Sequence, residues 1–199
     1  RAAVEMGLDF CVLTMVTRDD LPDGGAAHVA ATIRAVKEAR PGVGVEVLIS
    51  DLGRSREALE TVLRAEPEVL NHNLETVPRL YPRVRPQADY RASLGLLARA
   101  GRHRPRPVTK SGLMLGLGET RAEVLAVLDD LRAGGCDLIT LGQYLAPSPD
   151  HHPVIRYVTP EEFEDFRNQA LARGFKGVAS APLVRSSYQA GQLCREAKG

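Results

Sequence analysis

From residue 10 onward the chain alternates short apolar runs with longer amphipathic ones, and that alternation constrains its fold more than any other feature. The run Phe10-Cys11-Val12-Leu13-Thr14-Met15-Val16 is continuous and of strand length, the pattern of a strand buried on both faces. Further strands are expected at 43–49, 68–71, 108–113, 137–141 and 178–179. Between them, helical spacing covers 26–39, 56–65, 88–100, 121–133 and 160–172. Strands separated by helices pair in parallel, because a parallel neighbour needs a long crossover connection. Neither an internal repeat nor a low-complexity linker divides the sequence, so residues 1–199 are read as one domain.

A doubly wound sheet and a parallel barrel both satisfy this order. The polar residues favour the barrel, whose strand-to-helix loops all open on one face. Those loops hold Arg18, Asp19, Asp20, Gly24 and Gly25, then Asp51, then Asn71, His72, Asn73 and Glu75. The next ones hold Lys110, Gly112, Gly116, Gly118 and Glu119, then Gln143 and Tyr144. The opposite loops, ARPGV, AEPE and AGGC, are plain. The expected fold is therefore α/β, a partial parallel (β/α)6 barrel of TIM type followed by a C-terminal tail. Lys and Arg total 26 against 25 acids, a formal charge of +1, which argues against a dedicated nucleic-acid binder. Neither a membrane-length apolar run nor a signal peptide is seen, so no membrane partner is expected. The cysteines at 11, 136 and 194 fit neither a disulfide framework nor a CxxC site, which suits a reducing compartment. Cys11 and Cys136 lie in apolar runs and read as buried, Cys194 as exposed in a polar tail.

Several loop motifs carry chemistry. Gly24-Gly25 brings backbone and a helix start close to a ligand, or simply turns the chain. In NHNLE, Asn73 and Glu75 alternate with Asn71 and share its side, while His72 points elsewhere. Two amides and a carboxylate can orient a ligand bearing an amine and hydroxyls, and a capped loop would use the same letters. TKSGLMLGLGET matches neither GxGxxG nor the Walker pattern, but its glycines allow close approach of a ring or ribose. Thr120 with Glu123 forms a capping box. Lys110 is a conceivable Schiff-base nucleophile if buried. His151-His152 make a poor metal pair, and Ser186 and Ser187 in the terminal PLVRSSYQAG lack a triad around them.

Taken together, these loops resemble the lipoyl synthase family of radical S-adenosylmethionine enzymes. The segments are TRDDLPDGGAAHVAATIRAVKE (17–38), EVL (46–48), VLNHNLETVPRLYPRVRPQADYRASL (69–94), TKSGLMLGLGET (109–120), ITLGQYLAPSPDHHPVIRYVTPEEF (139–163) and VRSSYQAG (184–191). The resemblance implies an incomplete radical SAM barrel, and insertion of two sulfurs into an octanoyl chain held on a carrier protein. It implies S-adenosylmethionine and two [4Fe-4S] clusters, one binding S-adenosylmethionine and one consumed as sulfur source. The family's cluster cysteines, a CxxxCxxC loop and an N-terminal group, have no counterpart in this sequence. The chain is accordingly expected to be a C-terminal fragment, inactive alone, with the first strand missing and 10–16 left as an uncovered edge. By the same resemblance, Ser187 ligates the sulfur-donor cluster. Gly24 and Gly25 lie near the methionine moiety, Gly116, Gly118 and Glu119 shape the adenosine side, and Asn73 and Glu75 share the working face. Expected partners are octanoylated lipoyl carrier domains or the glycine cleavage H protein, with ferredoxin or flavodoxin as electron donor, in the cytoplasm or an organellar matrix. Met15, Thr17, Ser50, Leu52 and Ala181 depart from the family's usual residues. A cluster-free scaffold descended from the barrel and a non-radical lyase using Lys110 are the alternatives.

Overall fold

The computed structural model describes residues 2–199. After a short helix α1 (Ala2–Glu5), the strands β1 (Phe10–Thr14), β2 (Gly44–Leu48), β3 (Val69–Asn71), β4 (Val108–Leu115), β5 (Leu138–Gln143) and β6 (Gly177–Ser180) form a single sheet. Their spatial order is their order in the chain, and every neighbouring pair is parallel. The crossovers carry α2 (Ala26–Ala39), α3 (Arg56–Leu63), α4 (Tyr81–Val84), α5 (Tyr90–Ala100), α6 (Arg121–Ala133) and α7 (Pro160–Ala172). Four of the helices start where the sequence supplies a side-chain N-cap. Ser55 and Asp89 accept the third amide of α3 and α5, and capping boxes of Thr120 with Glu123 and Thr159 with Glu162 open α6 and α7.

Side chains alternate across the sheet, so the register sorts them onto two faces. Leu13, Val45, Val47, Leu70, Leu113, Leu115, Ile139 and Leu141 face outward and join the helices in the main core. The inner face runs through Phe10, Glu46, Val69, Asn71, Val108, Lys110, Gly112, Leu138, Thr140 and Ala179. The sheet does not close: β1 and β6 each have a strand neighbour on one side only.

A final helix, α8 (Ala190–Lys198), occupies the floor of that inner face. Its buried residues Ala190, Leu193, Cys194 and Ala197 recur at helical spacing, and they cluster with Val69, Val108, Leu138 and Ala179. Leu193 also approaches Gly177 on β6, while Gly191 lies against Phe10 on β1, so one helix touches both open edges. One expectation is corrected by it. Cys194 is buried rather than exposed, because its tail is an amphipathic helix with its apolar stripe turned inward. β1 stands at the open edge as expected, pairing with β2 alone, with α8 against its inner side; it ends at Thr14 rather than at 16, leaving Val16 74% exposed. Cys11, read as buried, is only half-buried, on a strand that has no second strand neighbour among the described residues, whereas Cys136 is buried as expected.

Leu193→Ala should cost roughly 2–5 kcal/mol in urea unfolding, since it opens a cavity between α8 and the sheet floor. Hydrogen exchange should also be faster at the β1 amides than at those of β4, which has a strand on either side.

Candidate functional site

Directly above the apolar floor, the inner face turns polar. Glu46 and Lys110 are both 0% exposed, with the Lys110 Nζ 2.9 Å and 3.1 Å from the two Glu46 carboxylate oxygens. Asn71 donates its amide to the same carboxylate at 2.9 Å. The remaining ammonium proton goes to the carbonyl of Ser186 at 2.6 Å. Burial pushes the Glu46 carboxyl above its usual range, against the opposing pull of Lys110 and Asn71. With three acceptors around it and no exposure, the Lys110 amine is not free to attack a carbonyl, so the lyase reading finds no nucleophile here.

Higher still, a cavity of about 260 Å³ opens at the carboxyl ends of β4 and β5. Asn73, Glu75, Gly112, Thr140, Gln143 and Ser186 are among its lining residues. The segment after β3 is stitched alongside β4: Glu75 donates its amide to the Gly112 carbonyl at 2.9 Å and accepts from Met114 at 2.8 Å. That pairing holds Glu75 at φ 66 and turns its side chain beside Asn73. Asn73 donates to Glu75 Oε1 at 3.0 Å and to the Ser186 hydroxyl at 3.3 Å. Its own amide oxygen is buried without a partner, as is that of Asn71. A buried acceptor left unpaired costs about 1–3 kcal/mol, so Asn73 Oδ1 is poised for a donor entering the cavity. Burial raises the Glu75 carboxyl, while Asn73 and Arg85 oppose the rise. A carboxylate, an amide oxygen and a hydroxyl converge on one opening, a set suited to a ligand carrying an amine and hydroxyls.

His72 points away, as its alternation with Asn71 and Asn73 predicts. It bridges the Ile49 carbonyl at 3.0 Å and the Ser93 hydroxyl at 2.9 Å inside the core, and burial lowers its pKa.

The other expected site residues lie on the same strand-end face but not in this cavity. Gly24, at φ 60, sits where a Cβ would come within 2.9 Å of the Leu52 backbone. The Asp23 carboxylate already accepts the amides of Gly25 and Ala27, so the start of α2 is capped from within. Glu119 accepts the amides of Gly116 and Leu117 at 2.7 and 2.8 Å and folds that loop on itself. Gly116 lets the Arg156 carbonyl and the Gln143 amide approach where a Cβ would stand, and Gly118 packs against Ile155. Ser187 is exposed and makes no hydrogen bond, one residue beyond the Ser186 that enters the cavity. Sequence reasoning passed over Glu46, whose signal was a lone acid inside the apolar run VGVEVLI.

A cluster's ligand set is a separate matter. Cys11 packs against the outer core, Cys136 precedes β5 at the far end of the strands, and Cys194 is in the floor. Among the described residues no group of three or more His, Cys, Asp or Glu is arranged to hold a metal ion.

The family model of the radical SAM superfamily matches residues 1–131. A lipoyl synthase of Chlorobaculum parvum is 58% identical over 95% of this chain and 64% of its own length. That of Thermus thermophilus is 55% identical over 98% of this chain and 61% of its own. A third, from Trichlorobacter lovleyi, is 56% identical over 95% of the chain and 67% of its own. The chain thus spans somewhat under two thirds of the length of most of these relatives. Among solved structures, methylornithine synthase aligns with TM-score 0.64 at 13% identity, covering 96% of this chain and 67% of that one. A domain of pyruvate-formate lyase-activating enzyme from Bacteroides vulgatus aligns with TM-score 0.59 at 14% identity, over 84% of this chain and 98% of that one. These two likenesses speak for the fold alone.

His72 gives the site's support a measurable pH signature. Its folded pKa lies below the unfolded value, so only the unfolded chain takes up a proton as pH falls through roughly 6.5. His72→Phe should lose about 1–3 kcal/mol at pH 7.5 by stranding its two partners. Between pH 7.5 and 5.5, however, its stability in urea titrations should decline less than that of the parent.

Proposed function

The chain belongs to the radical SAM superfamily and, within it, to the lipoyl synthase family, and on that premise we propose that the complete protein inserts two sulfur atoms into the octanoyl chain of a lipoyl carrier protein. What carries the reading is identity of 55–58% sustained over 95–98% of the chain, a span that takes in every strand-end loop. S-adenosylmethionine and iron-sulfur chemistry go with the superfamily. The finer assignment of two [4Fe-4S] clusters, one at S-adenosylmethionine and one as sulfur donor, is part of the proposal.

The cavity residues fit S-adenosylmethionine, because its ammonium and ribose hydroxyls are donors and the unpaired Asn73 oxygen, Glu75 and Ser186 are acceptors. When bound beside a reduced cluster, that cofactor supplies the one-electron chemistry that opens unactivated C–H bonds. Asn73 and Glu75 orient it. Gly24 and Gly25 contribute the shape of the turn near its methionine end, since Asp23 already takes the amides of Gly25 and Ala27. Gly116, Gly118 and Glu119 shape the adenosine side through a loop that Glu119 itself holds closed. Met114, Leu145 and Val184 give the cavity an apolar wall suited to an alkyl chain. Ser187, with an unengaged hydroxyl, serves as this chain's ligand to the sulfur-donor cluster, whose cysteines lie beyond these 199 residues. Octanoylated carrier domains, including the glycine cleavage H protein, are the proposed substrates, and ferredoxin or flavodoxin the electron donor. A reducing compartment, cytoplasm or organellar matrix, suits the chemistry. Among the described residues no helix is long and apolar enough to cross a membrane.

The complete protein, reconstituted anaerobically with iron and sulfide, should convert an octanoylated carrier domain to its lipoylated form. Absence of product with fully loaded clusters would overturn the reading. Ser187→Ala should abolish sulfur insertion by at least about a hundredfold while reductive cleavage of S-adenosylmethionine persists. Glu75→Gln should weaken S-adenosylmethionine binding roughly tenfold, the cost of one charge-assisted hydrogen bond. At pH 7 the same variant should be at least as stable as the parent. A raised carboxyl pKa means that the ionised form burdens the folded state above the unfolded value, and Gln removes that burden.

A further inference from the structure

The segment 181–189 leaves β6, crosses the mouth of the partial barrel and drops into α8. Little secondary structure holds it there. Its first part pairs with β5, Ala181 donating to the Leu141 carbonyl and Gln143 to the Pro182 carbonyl, both at 3.2 Å. Beyond that, Val184 is buried in the floor cluster, while Leu183, Arg185, Ser187 and Tyr188 are exposed. Two inner-face features touch the backbone of the crossing. Gly142 on β5 leaves room for the Val184 carbonyl, which a Cβ at that position would overlap. From below, the Lys110 ammonium donates to the Ser186 carbonyl at 2.6 Å.

We infer that Lys110 is a positioning residue for the C-terminal crossing: held upright by Glu46 and Asn71, it pins the Ser186 carbonyl and so fixes where the Ser186 and Ser187 side chains stand. The geometry leaves the ammonium no alternative task, since its other protons are taken by Glu46 and it has no exposed surface. Glu46 fixes the ammonium's place, and Asn71 fixes Glu46. The hydroxyl of Ser186 meets Asn73 on the opposite side at 3.3 Å, so the same residue is gripped at its carbonyl and at its side chain. A pinned carbonyl at 186 leaves residue 187 few directions in which to turn. This inference rests on the function proposed above only for what the crossing carries, not for how it is held.

Lys110→Met alone strands the Glu46 carboxylate and could unfold the barrel, so the variant of choice is the double substitution Lys110→Met with Glu46→Gln, which removes both charges. In the complete protein, hydrogen exchange of a peptide covering 183–189 should quicken by about tenfold or more, as expected for losing one hydrogen bond to a charged group. Peptides from α6 and α7, which carry neither substitution, should keep their parent rates. A 3-fluorotyrosine at Tyr188 reads local order directly: its ¹⁹F line should narrow and move toward the free amino acid in the double variant. Gly142→Ala, which pushes on the same crossing by sterics rather than charge, should give the same two signatures with Lys110 intact. Unchanged exchange at 183–189 and an unchanged ¹⁹F line in the folded double variant would overturn the inference. Both readouts are independent of sulfur insertion, so failure of the proposed activity and failure of the inferred latch remain distinguishable.

Discussion

A lysine ammonium and a glutamate carboxylate sit side by side with no solvent exposure in the middle of the sheet's inner face. Taking each ion out of water costs several kcal/mol, and only close pairing with further hydrogen bonds offsets it. Here both carboxylate oxygens face the ammonium, Asn71 adds a donor, and the Ser186 carbonyl takes the last proton. The arrangement splits the inner face into two storeys. Below the pair, Val69, Val108 and Leu138 meet α8 in an apolar floor; above it, Asn73, Glu75, Thr140 and Gln143 line the cavity.

The open sheet imposes the second constraint. A parallel sheet with helices on one face still has to cover its other face and its edges. In a closed eight-stranded barrel the strands do this for one another. With six strands, α8 does part of it, reaching β1 through Gly191 and β6 through Leu193. Helix α8 therefore lies inside the open barrel, and the crossing that leads to it passes over the cavity on its way. Closing the floor and roofing the site are the work of one continuous stretch, 181–198.

The backbone gives the site its order. Asn73 and Glu75 follow β3 in a segment that pairs with β4 through a single parallel bridge, so two cavity side chains are carried on an extension of the sheet rather than on a free loop. The glycine turns at 24–25 and 116–119 are each closed by an acid of their own segment, Asp23 and Glu119. Both turns are thus held by hydrogen bonds within their own segments.

The sequence by itself determined the alternation of strand and helix, the parallel sheet that follows from it and the side on which the polar loops gather. It also determined the capping box at Thr120 and the alternation that turns His72 away from Asn71 and Asn73. All of these depend on neighbours within a few residues, through periodicity, caps and alternation. The loop set was distinctive enough to carry the family as well. Three things needed the tertiary structure. Glu46 reads locally as one odd acid in an apolar strand, and its meaning comes only from Lys110, 64 positions away. Cys194 looked exposed because a tail among charged residues has no visible floor until β3, β4, β5 and β6 supply one. And of two adjacent serines, which one enters the cavity was decided by a carbonyl pinned from beneath, a long-range contact that no local pattern records.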